Sequence, residues 1–186
     1  MVANPETGLF ILPNLLSQAE ARALVDLSEQ YQYQPALVKT KAGPSLLPQV
    51  RKNQRLEVND AELSHLVLTR LRSHAETAQT SQLNAVLNNC SNINPAWRFY
   101  RYQAGDYFKW HRDGVVHAND QEISQYTLLI YLNQDYQGGR TCFKTIKIQA
   151  ETGMALIFRH HFLHQSELLT SGCKYLLRSD LMFKLT

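Results

Sequence analysis

The sequence lacks the features that mark several large classes of protein. No apolar stretch approaches the ~20 residues that a helix needs to cross a bilayer, so no membrane association is expected. Residues 1–12 contain no basic segment followed by a long apolar core, which argues against a secretory signal. The net charge is only +3, and no run of lysine and arginine is long enough to follow a phosphate backbone. The sequence therefore gives no clear indication of nucleic-acid binding.

Cysteine is scarce. Cys90, Cys142 and Cys173 are scattered, odd in number and free of C-x-x-C spacing. This pattern fits a reducing compartment and excludes a disulfide framework and a zinc ribbon. With 186 residues, of which 44% are hydrophobic and 19% charged, the chain has the length and composition of one globular domain. We therefore expect a single cytoplasmic domain spanning residues 1–186, and its oligomeric state is left open.

The first half of the chain has mainly helical patterns. Ser17 and Glu20 form a capping box, and apolar residues at helical spacing follow up to about Tyr31. Asp60 is placed to cap a second helix that ends near Thr80, with these residues on its buried side: Leu63, Leu66, Val67, Leu68 and Leu71. Between the helices, residues 35–39 suggest a short strand, and residues 40–54 contain the glycine and prolines of a loop.

After Pro95 the chain becomes rich in aromatic and β-branched residues, in short segments separated by turn signals. The predicted strands are 97–102, 107–110, 126–132, 141–143, 154–158 and 175–177. Helices followed by many short strands indicate an α+β fold. We predict a double-stranded β-helix of jelly-roll, cupin-like type, in which residues 96–186 form the core and residues 1–95 supply mainly helical support with a lid loop.

The first chemical signal is the H-x-D motif of His111 and Asp113. In a strand these two side chains project to the same face, so that they can share one metal ion. A second imidazole would complete the 2-His-1-carboxylate facial triad of non-haem iron oxygenases, which leaves adjacent positions open. Chance alone yields roughly a quarter of an H-x-D match in such a chain, and the motif by itself is more typical of a surface turn.

The C-terminal third supplies the context. Residues 158–166 contain three histidines, His160, His161 and His164, and Lys174 follows His164 by ten residues. If the strands of His164 and Lys174 are adjacent and antiparallel, both side chains can point into the barrel. Burying a lysine is costly unless it is paired, and the far carboxylate of a bidentate dicarboxylate is a suitable partner. This spacing favours His164 as the third ligand, with His160 as a supporting or exposed residue.

The order of these motifs resembles the prolyl 4-hydroxylase-like branch of the 2-oxoglutarate oxygenases. The similar features are H-x-D, a Gly-Gly turn, a G-x-x-L-x-F strand, a late histidine and a lysine ten residues later, together with the segments 10–17, 98–102, 131–133 and 177–180. The resemblance implies that His111, Asp113 and His164 are the catalytic iron ligands. It further implies that Lys174 and Tyr131 bind the C5 carboxylate of 2-oxoglutarate and that Tyr102 lines the pocket of this co-substrate.

The activity implied by the resemblance is hydroxylation of an unactivated C–H bond, coupled to decarboxylation of 2-oxoglutarate to succinate. The implied cofactors are Fe(II), 2-oxoglutarate and O₂, with ascorbate as a candidate reductant. The substrates to consider are a prolyl residue of a peptide or protein, a free amino acid or another small metabolite. Two alternatives stay open. A zinc hydrolase would use the same ligands but not Lys174, and a non-catalytic jelly-roll module would bind metal without turnover.

Several residues depart from the family pattern or have two interpretations. Arg140 stands where relatives commonly have an acidic residue, and Gln165–Ser166 replaces a frequent Glu-Gly; both changes are expected to affect the substrate side. The loop 40–55 is either solvated or a lid over the active site, in which case Arg51 and Arg55 would contact the substrate. Arg178 either pairs with Asp180 structurally or reaches the pocket, and the structural interpretation is favoured. Asp113 favours hydroxylation, because halogenating relatives replace this carboxylate.

Overall fold

A computed structural model describes residues 8–77 and 81–185 of the chain. Within these ranges there are three helices: α1 (Gln18–Ser28), α2 (Ala61–Thr77) and α3 (Ser81–Asn89). None of them is long and apolar enough to cross a membrane. The expectation about a secretory signal concerns residues 1–12, of which 1–7 lie outside the described part of the chain.

The two predicted helices are present, with the predicted caps. The Ser17 hydroxyl accepts a hydrogen bond from the Glu20 amide, and the Glu20 carboxylate accepts one from the Ser17 amide. Asp60 caps α2 by accepting from the Leu63 amide at 2.8 Å. Leu66, predicted to be buried, is 45% exposed, because it lies on the solvent side of α2. Helix α3 was not predicted.

The first half of the chain also contributes strands, so the expected division between helical support and β core is too sharp. These strands are β1 (Leu9–Leu12), β2 (Gln34–Pro35), β3 (Val38–Thr40), β4 (Gly43–Ser45), β5 (Arg51–Lys52) and β6 (Gln54–Asn59). Within the predicted loop 40–54, backbone pairing therefore forms two short strands. The assignment of the whole chain to a single domain stays a prediction.

All six strands predicted after Pro95 are present, and several are longer than expected. The strands are β7 (Cys90–Ile93), β8 (Ala96–Gln103), β9 (Tyr107–His111), β10 (His117–Asn119), β11 (Glu122–Tyr131), β12 (Gln137–Gly138), β13 (Thr141–Phe143), β14 (Lys147–Ile148), β15 (Ala155–Arg159), β16 (His164–Ser166), β17 (Leu169–Ser171) and β18 (Cys173–Lys184).

These strands form two main antiparallel sheets. The larger sheet has nine strands in the order β1-β15-β11-β18-β8-β6-β2, with β10 paired to β11 and β7 to β18. The smaller sheet has five strands in the order β14-β13-β16-β9-β5, and two further sheets, β12-β17 and β3-β4, have two strands each. The β1 and β6 strands extend the larger sheet, which explains why the first half of the chain cannot be separated from the core.

Alternation of side chains along the strands produces two hydrophobic layers. One face of the larger sheet packs on the helices; Trp97, for example, donates from its indole nitrogen to the Ser64 hydroxyl of α2 at 3.0 Å. The other face, which includes Tyr100, Tyr102 and Tyr131, meets Phe143 of the smaller sheet. Two facing sheets with helices on the outside confirm the predicted α+β, double-stranded β-helix architecture, and the functional site lies between the sheets.

Candidate metal centre and co-substrate pocket

The two predicted imidazole ligands meet as a cross-strand pair in the smaller sheet. His111 at the end of β9 and His164 at the start of β16 are direct partners in the antiparallel register. Such partners project to the same face of a sheet, and the two ring centroids are 4.2 Å apart. The register of two short strands therefore brings together two histidines that are distant in the sequence.

Asp113 joins this pair from the segment that follows β9. The interpretation that Asp113 lies in the same strand as His111 is wrong, because β9 ends at His111 and the Asp113 amide donates instead to the His160 carbonyl at 3.0 Å. Its carboxylate oxygens nevertheless lie 3.8 Å from Nε2 of His111 and 3.7 Å from Nε2 of His164. All three ligand atoms lie within 4.8 Å of one another, a donor set that fits a ferrous facial triad.

Backbone carbonyls fix which ring nitrogen of each histidine faces the centre. Nδ1 of His111 lies 2.7 Å from the Lys109 carbonyl oxygen, and Nδ1 of His164 lies 2.9 Å from the Phe162 carbonyl oxygen. Because a carbonyl can only accept, each Nδ1 carries the proton and donates it. Both Nε2 atoms are therefore left with a free lone pair for a metal, as in many protein metal sites.

A chain of hydrogen bonds behind Asp113 holds its carboxylate. The Thr127 hydroxyl donates to Oδ2 of Asp113 at 2.6 Å, so it can only accept from Nδ1 of His160, at 2.9 Å. Nε2 of His160 then accepts from the Ser124 hydroxyl at 2.8 Å. His160 is buried, and its contacts give it the supporting role and exclude the exposed one.

Burial keeps the charge state of the centre suited to metal binding. Desolvation, together with the neighbouring His164, lowers the pKa of His111 to about 3, and desolvation also lowers the pKa of His164. Burial alone would raise the pKa of Asp113, but Arg178 and the two histidines hold it well below its usual range. At neutral pH the centre thus consists of two neutral imidazoles and one carboxylate.

Arg178 is part of this centre, in contrast to the structural interpretation favoured from the sequence. Its Nη1 lies 2.9 Å from Oδ1 of Asp113, and its Nη2 lies 3.4 Å from Oδ1 of Asp180. The pairing with Asp180 that was predicted does exist, but it is the longer of the two. Strand parity was the available signal, because Arg178 follows Lys174 by four residues on β18 and so projects to the same face.

Lys174 is completely buried on the inner face of the larger sheet. Its ammonium group donates to the Gly139 carbonyl and lies 3.4 Å from the Ser166 hydroxyl. Three aromatic rings, those of Tyr102, Tyr131 and Tyr136, lie 5.3–5.8 Å from Nζ. Desolvation lowers the pKa of Lys174 to about 7. Within the described residues no carboxylate pairs with this lysine, which is the environment that the anion-binding hypothesis requires.

The predicted arrangement of the strands of His164 and Lys174 needs correction, and two departures from the family pattern can be located. The strands of His164 and Lys174 are not adjacent, since β16 pairs with β13 and β9 in the smaller sheet whereas β18 pairs with β11 and β8 in the larger one. The two residues therefore face the site from opposite sheets. Ser166, a departure that was expected to affect the substrate side, contacts Lys174. Arg140, by contrast, forms an ion pair with Glu167 at 2.9 Å.

A pocket connects the metal centre to the surroundings of Lys174. Its lining consists of Tyr100, Tyr102, Phe108, His111, Asp113, Leu129, Thr141, His164, Gln165, Ser166, Leu176 and Arg178. Tyr102 thus lines the pocket, as predicted. Tyr131 lies behind the lining and donates from its hydroxyl to Thr141 at 2.7 Å. Thr141 was missed in the sequence because a single threonine in a short strand carries no pattern of its own.

The lid interpretation does not fit the position of Arg51, which is 5% exposed and lies in β5, paired with Phe108 of β9. Arg55 lies in β6 and forms an ion pair with Glu57 at 3.2 Å. Neither arginine is among the residues that line the pocket. Arg51 nevertheless contacts two of those residues, since its guanidinium carbon lies 4.6 Å from the Tyr100 ring centroid and 4.4 Å from that of Phe108.

Comparisons with known proteins agree with this geometry. Residues 97–179 match the model of the 2OG-Fe(II) oxygenase superfamily, and none of the curated protein sequences matches the chain. The viral collagen prolyl hydroxylase from Paramecium bursaria Chlorella virus-1, solved with 2-oxoglutarate, is similar in structure, with a TM-score of 0.66 and 19% identity over 96% of this chain and 97% of that one.

Two further solved structures are similar to the same degree. A prolyl-4-hydroxylase from Pseudomonas putida has a TM-score of 0.65 and 16% identity over 95% of this chain and 93% of that one. A prolyl hydroxylase from Trichoplax adhaerens, solved with a peptide fragment of the hypoxia inducible factor oxygen degradation domain, has a TM-score of 0.63 and 16% identity over 95% and 84%. These likenesses support the fold assignment over nearly the whole chain.

The matched segment begins on β8 and ends on β18, so it includes the metal centre and Lys174. The family implies Fe(II), 2-oxoglutarate and O₂ as the reactants of a dioxygenase, and the His₂Asp cluster offers a donor set for the iron. Residues 97–179 are thus similar to the 2OG-Fe(II) oxygenase superfamily, and the chain has the fold of the prolyl hydroxylases.

Proposed function

We propose that this oxygenase hydroxylates a prolyl residue of a peptide or protein, with His111, Asp113 and His164 as the iron ligands and Lys174 as the residue that binds 2-oxoglutarate. Two features at one pocket carry the proposal. They are the His₂Asp cluster, with its ligand atoms within 4.8 Å of one another, and a fully buried lysine that contacts Ser166 and Tyr102 of the pocket lining. A metal site alone would not require a buried cation.

The residues of the chain have separate tasks in this proposal. When bound, the iron would activate O₂ while 2-oxoglutarate is oxidised to succinate and CO₂, so that one oxygen atom enters succinate and the other a C–H bond of the substrate. The backbone-bound imidazoles and the Thr127-supported carboxylate fix the metal geometry before binding. Lys174 anchors the far carboxylate of 2-oxoglutarate, and Tyr131 and Thr141 provide hydroxyl groups beside it. The aromatic walls of the pocket, Tyr102 among them, exclude water.

The solved structures with a similar fold support a peptide substrate. The structures from the Chlorella virus, Pseudomonas putida and Trichoplax adhaerens are all prolyl hydroxylases, and the last of them holds a peptide. A free amino acid or another small metabolite is the second candidate class. Arg51 and Arg55 remain the proposed substrate contacts. We place the activity in the cytoplasm, which the three free cysteines support.

The two alternative functions account less well for the site. A zinc hydrolase could use the same three ligands, but it has no need of Lys174, whose burial without a carboxylate partner is costly. A non-catalytic module could retain a metal for stability, and it too leaves Lys174 unexplained. The lysine therefore separates the oxygenase from both alternatives.

The proposed function is tested first without a substrate. Under anaerobic conditions, Fe(II) and 2-oxoglutarate should give the weak visible charge-transfer band of the chelate, and admission of air with ascorbate as the reductant should give succinate. His111→Ala should lose both signals. Activity with Zn(II) in the absence of iron and 2-oxoglutarate would instead establish the hydrolase, and metal binding without succinate would establish the non-catalytic module.

The substrate is tested by incubating the iron-loaded protein with a pool of proline-containing peptides and a pool of free amino acids. Hydroxylation adds the mass of one oxygen atom, and fragmentation locates it. Oxygen on a prolyl residue of a peptide is the expected result. Modification of free amino acids alone, with succinate formation intact, would refute the peptide assignment and leave the oxygenase standing.

A further inference from the structure

Arg51 brings a positive charge close to the metal centre. Its backbone pairs with Phe108 of the neighbouring strand, and its guanidinium carbon lies 4.4 Å from the centroid of the Phe108 ring. The Phe108 ring in turn stacks on the His111 ring, at a centroid distance of 3.5 Å. Arg51 is therefore separated from a candidate iron ligand by a single aromatic ring.

The charge on Arg51 has no carboxylate partner among residues 8–77 and 81–185. Its Nε donates to the Asn53 side-chain oxygen at 2.6 Å, but its Nη2 is buried without any hydrogen-bond partner. The same holds for Nε of Arg178, on the lining of the pocket. Buried donors are almost always paired, so two unpaired guanidinium nitrogens at one pocket need an explanation.

Tyr100 lies on the pocket lining beside both arginines. Burial by itself raises the pKa of its hydroxyl, but the positive charges of Arg178, Arg51 and Arg98 outweigh that effect and lower the pKa to about 8. The shift reports an excess of positive charge around the phenol. An aromatic wall with a surplus of cations is suited to a ligand that carries a negative charge.

The neighbouring ion pairs do not remove this excess. On the same inner face, Arg55 pairs with Glu57 and Arg98 pairs with Asp180. Arg178 shares Asp180 and otherwise pairs with Asp113, whose carboxylate is also the candidate metal ligand. A bound metal ion would share the negative charge of Asp113, so that less of this charge would neutralise Arg178.

We infer that Arg51, Arg178 and Tyr100 form a subsite for a carboxylate of the substrate, so that the enzyme selects acidic peptides. This inference rests on the proposed function and narrows its substrate class. The far carboxylate of the co-substrate is assigned to Lys174, and Arg178 lies four residues beyond it on β18, or about 13 Å along an extended strand. The carboxylate comes either from an acidic side chain near the target proline or from the C-terminus of the peptide.

The inference is tested by binding, without turnover. The protein is loaded with Mn(II) and 2-oxoglutarate in the absence of O₂ and mixed with a pool of acetyl-Ala-X-Pro-Z-Ala-amide peptides, in which X and Z are each Ala, Glu or Gln. A second pool compares acetyl-Ala-Ala-Pro with a free carboxylate and with an amide end. Peptides that co-elute with the protein are quantified by mass spectrometry, and the two pools separate the two sources of the carboxylate.

Peptides with a carboxylate should be retained about tenfold more than their amide counterparts, as expected for a charge-assisted hydrogen bond. Arg51→Met should abolish this preference, and Arg51→Lys should restore part of it. Methionine fills the space between the two rings, and thermal unfolding of the loaded variant verifies folding. Arg22→Met removes an arginine that is 83% exposed on α1, and it should keep the preference.

Equal retention of Glu and Gln peptides, or no retention above that of Arg51→Met, would overturn the inference. So would a loss of 2-oxoglutarate affinity in Arg51→Met with the acidic preference intact, because Arg51 would then serve the co-substrate. The failure of the proposed function is distinguishable. If acidic peptides bind to the manganese form and none gains oxygen with iron in air, the subsite stands and prolyl hydroxylation is wrong.

Discussion

Replacing Lys174 with methionine should stabilise the protein without its ligands and at the same time destroy its affinity for 2-oxoglutarate. Most substitutions in a buried position are destabilising. Lys174 should behave differently, because its ammonium group is fully buried with only a carbonyl and a hydroxyl as hydrogen-bond partners. Methionine has a similar length and no charge to desolvate.

The magnitude follows from the pKa of Lys174, which burial lowers from 10.5 to about 7. Since one pKa unit corresponds to about 1.4 kcal/mol, the burial costs on the order of 4–5 kcal/mol at neutral pH. The variant loses the hydrogen bond to the Gly139 carbonyl, at about 1–3 kcal/mol. The free energy of unfolding should therefore rise by roughly 1–4 kcal/mol, or several degrees in Tm for a chain of this size.

The pH dependence provides an independent check. Between pH 7 and 10.5 the lysine is protonated in the unfolded chain and increasingly neutral in the folded protein, so the unfolded state binds more protons. The stability of the wild type should therefore rise with pH across this window. The stability of Lys174→Met should lack this component, so its advantage over the wild type should shrink as the pH rises and reverse before pH 10.5, where only the lost hydrogen bond counts. Chemical denaturation at several pH values measures both slopes.

Binding of 2-oxoglutarate should reverse the effect of burial. A carboxylate beside Nζ favours the ammonium form, so above pH 7 the complex takes up a proton. At pH 8, for a pKa near 7, Lys174 is neutral in roughly nine in ten molecules of the ligand-free protein. Proton uptake should therefore approach one proton per 2-oxoglutarate bound. Calorimetry in two buffers of different ionisation enthalpy measures it. A Lys174→Met protein that is less stable at pH 7 and binds 2-oxoglutarate normally would refute the reasoning.

Three further outcomes are expected. Thr127→Val removes the hydroxyl that donates to Asp113, and metal affinity measured by Mn(II) titration should fall about 10–100-fold, while Thr127→Ser should retain most of it. Gly153→Ala places a Cβ 1.9 Å from the Leu16 carbonyl oxygen at a φ of +81°, and should lower stability by roughly 3 kcal/mol or more; an unchanged Tm would contradict that packing. The metal-free protein should lose stability as the pH falls from 6.5 towards 3, because the unfolded chain binds a proton that folded His111, with a pKa of about 3, does not; a His111→Leu variant should lose less over the same range.

Local patterns in the sequence were sufficient for the elements that local chemistry determines. The capping box of Ser17 and Glu20 and the aspartate cap of α2 appear as predicted. The core strands were predicted because aromatic and β-branched residues are enriched in β-strands. The short strands β4 and β5 were not predicted, since each has only two or three residues and is defined by its pairing partner.

The site could be predicted in its members more readily than in its geometry. His111, Asp113 and His164 come together as the motif order indicated, and Lys174 is buried beside Ser166 and Tyr102 of the pocket lining. The supporting residues were missed because their role depends on which strands are neighbours. Thr127, for instance, lies on β11 and donates to Asp113, which follows β9 of the other main sheet. Nothing in the sequence around Thr127 indicates this role.

The position of Arg178 shows what strand register adds to a motif. Along β18, Lys174, Leu176 and Arg178 point to one face, and their partners on β8 are Tyr102, Tyr100 and Arg98. This register places Lys174 beside an aromatic wall and Arg178 beside Asp113 of the candidate metal centre. One strand thus supplies two cations, Lys174 buried behind the pocket lining, in contact with Ser166 of the lining, and Arg178 on the lining itself. Because the first charge is assigned to 2-oxoglutarate, the second is free to select the substrate, and a hydroxylase built in this way should discriminate by the charge of the peptide as well as by its proline.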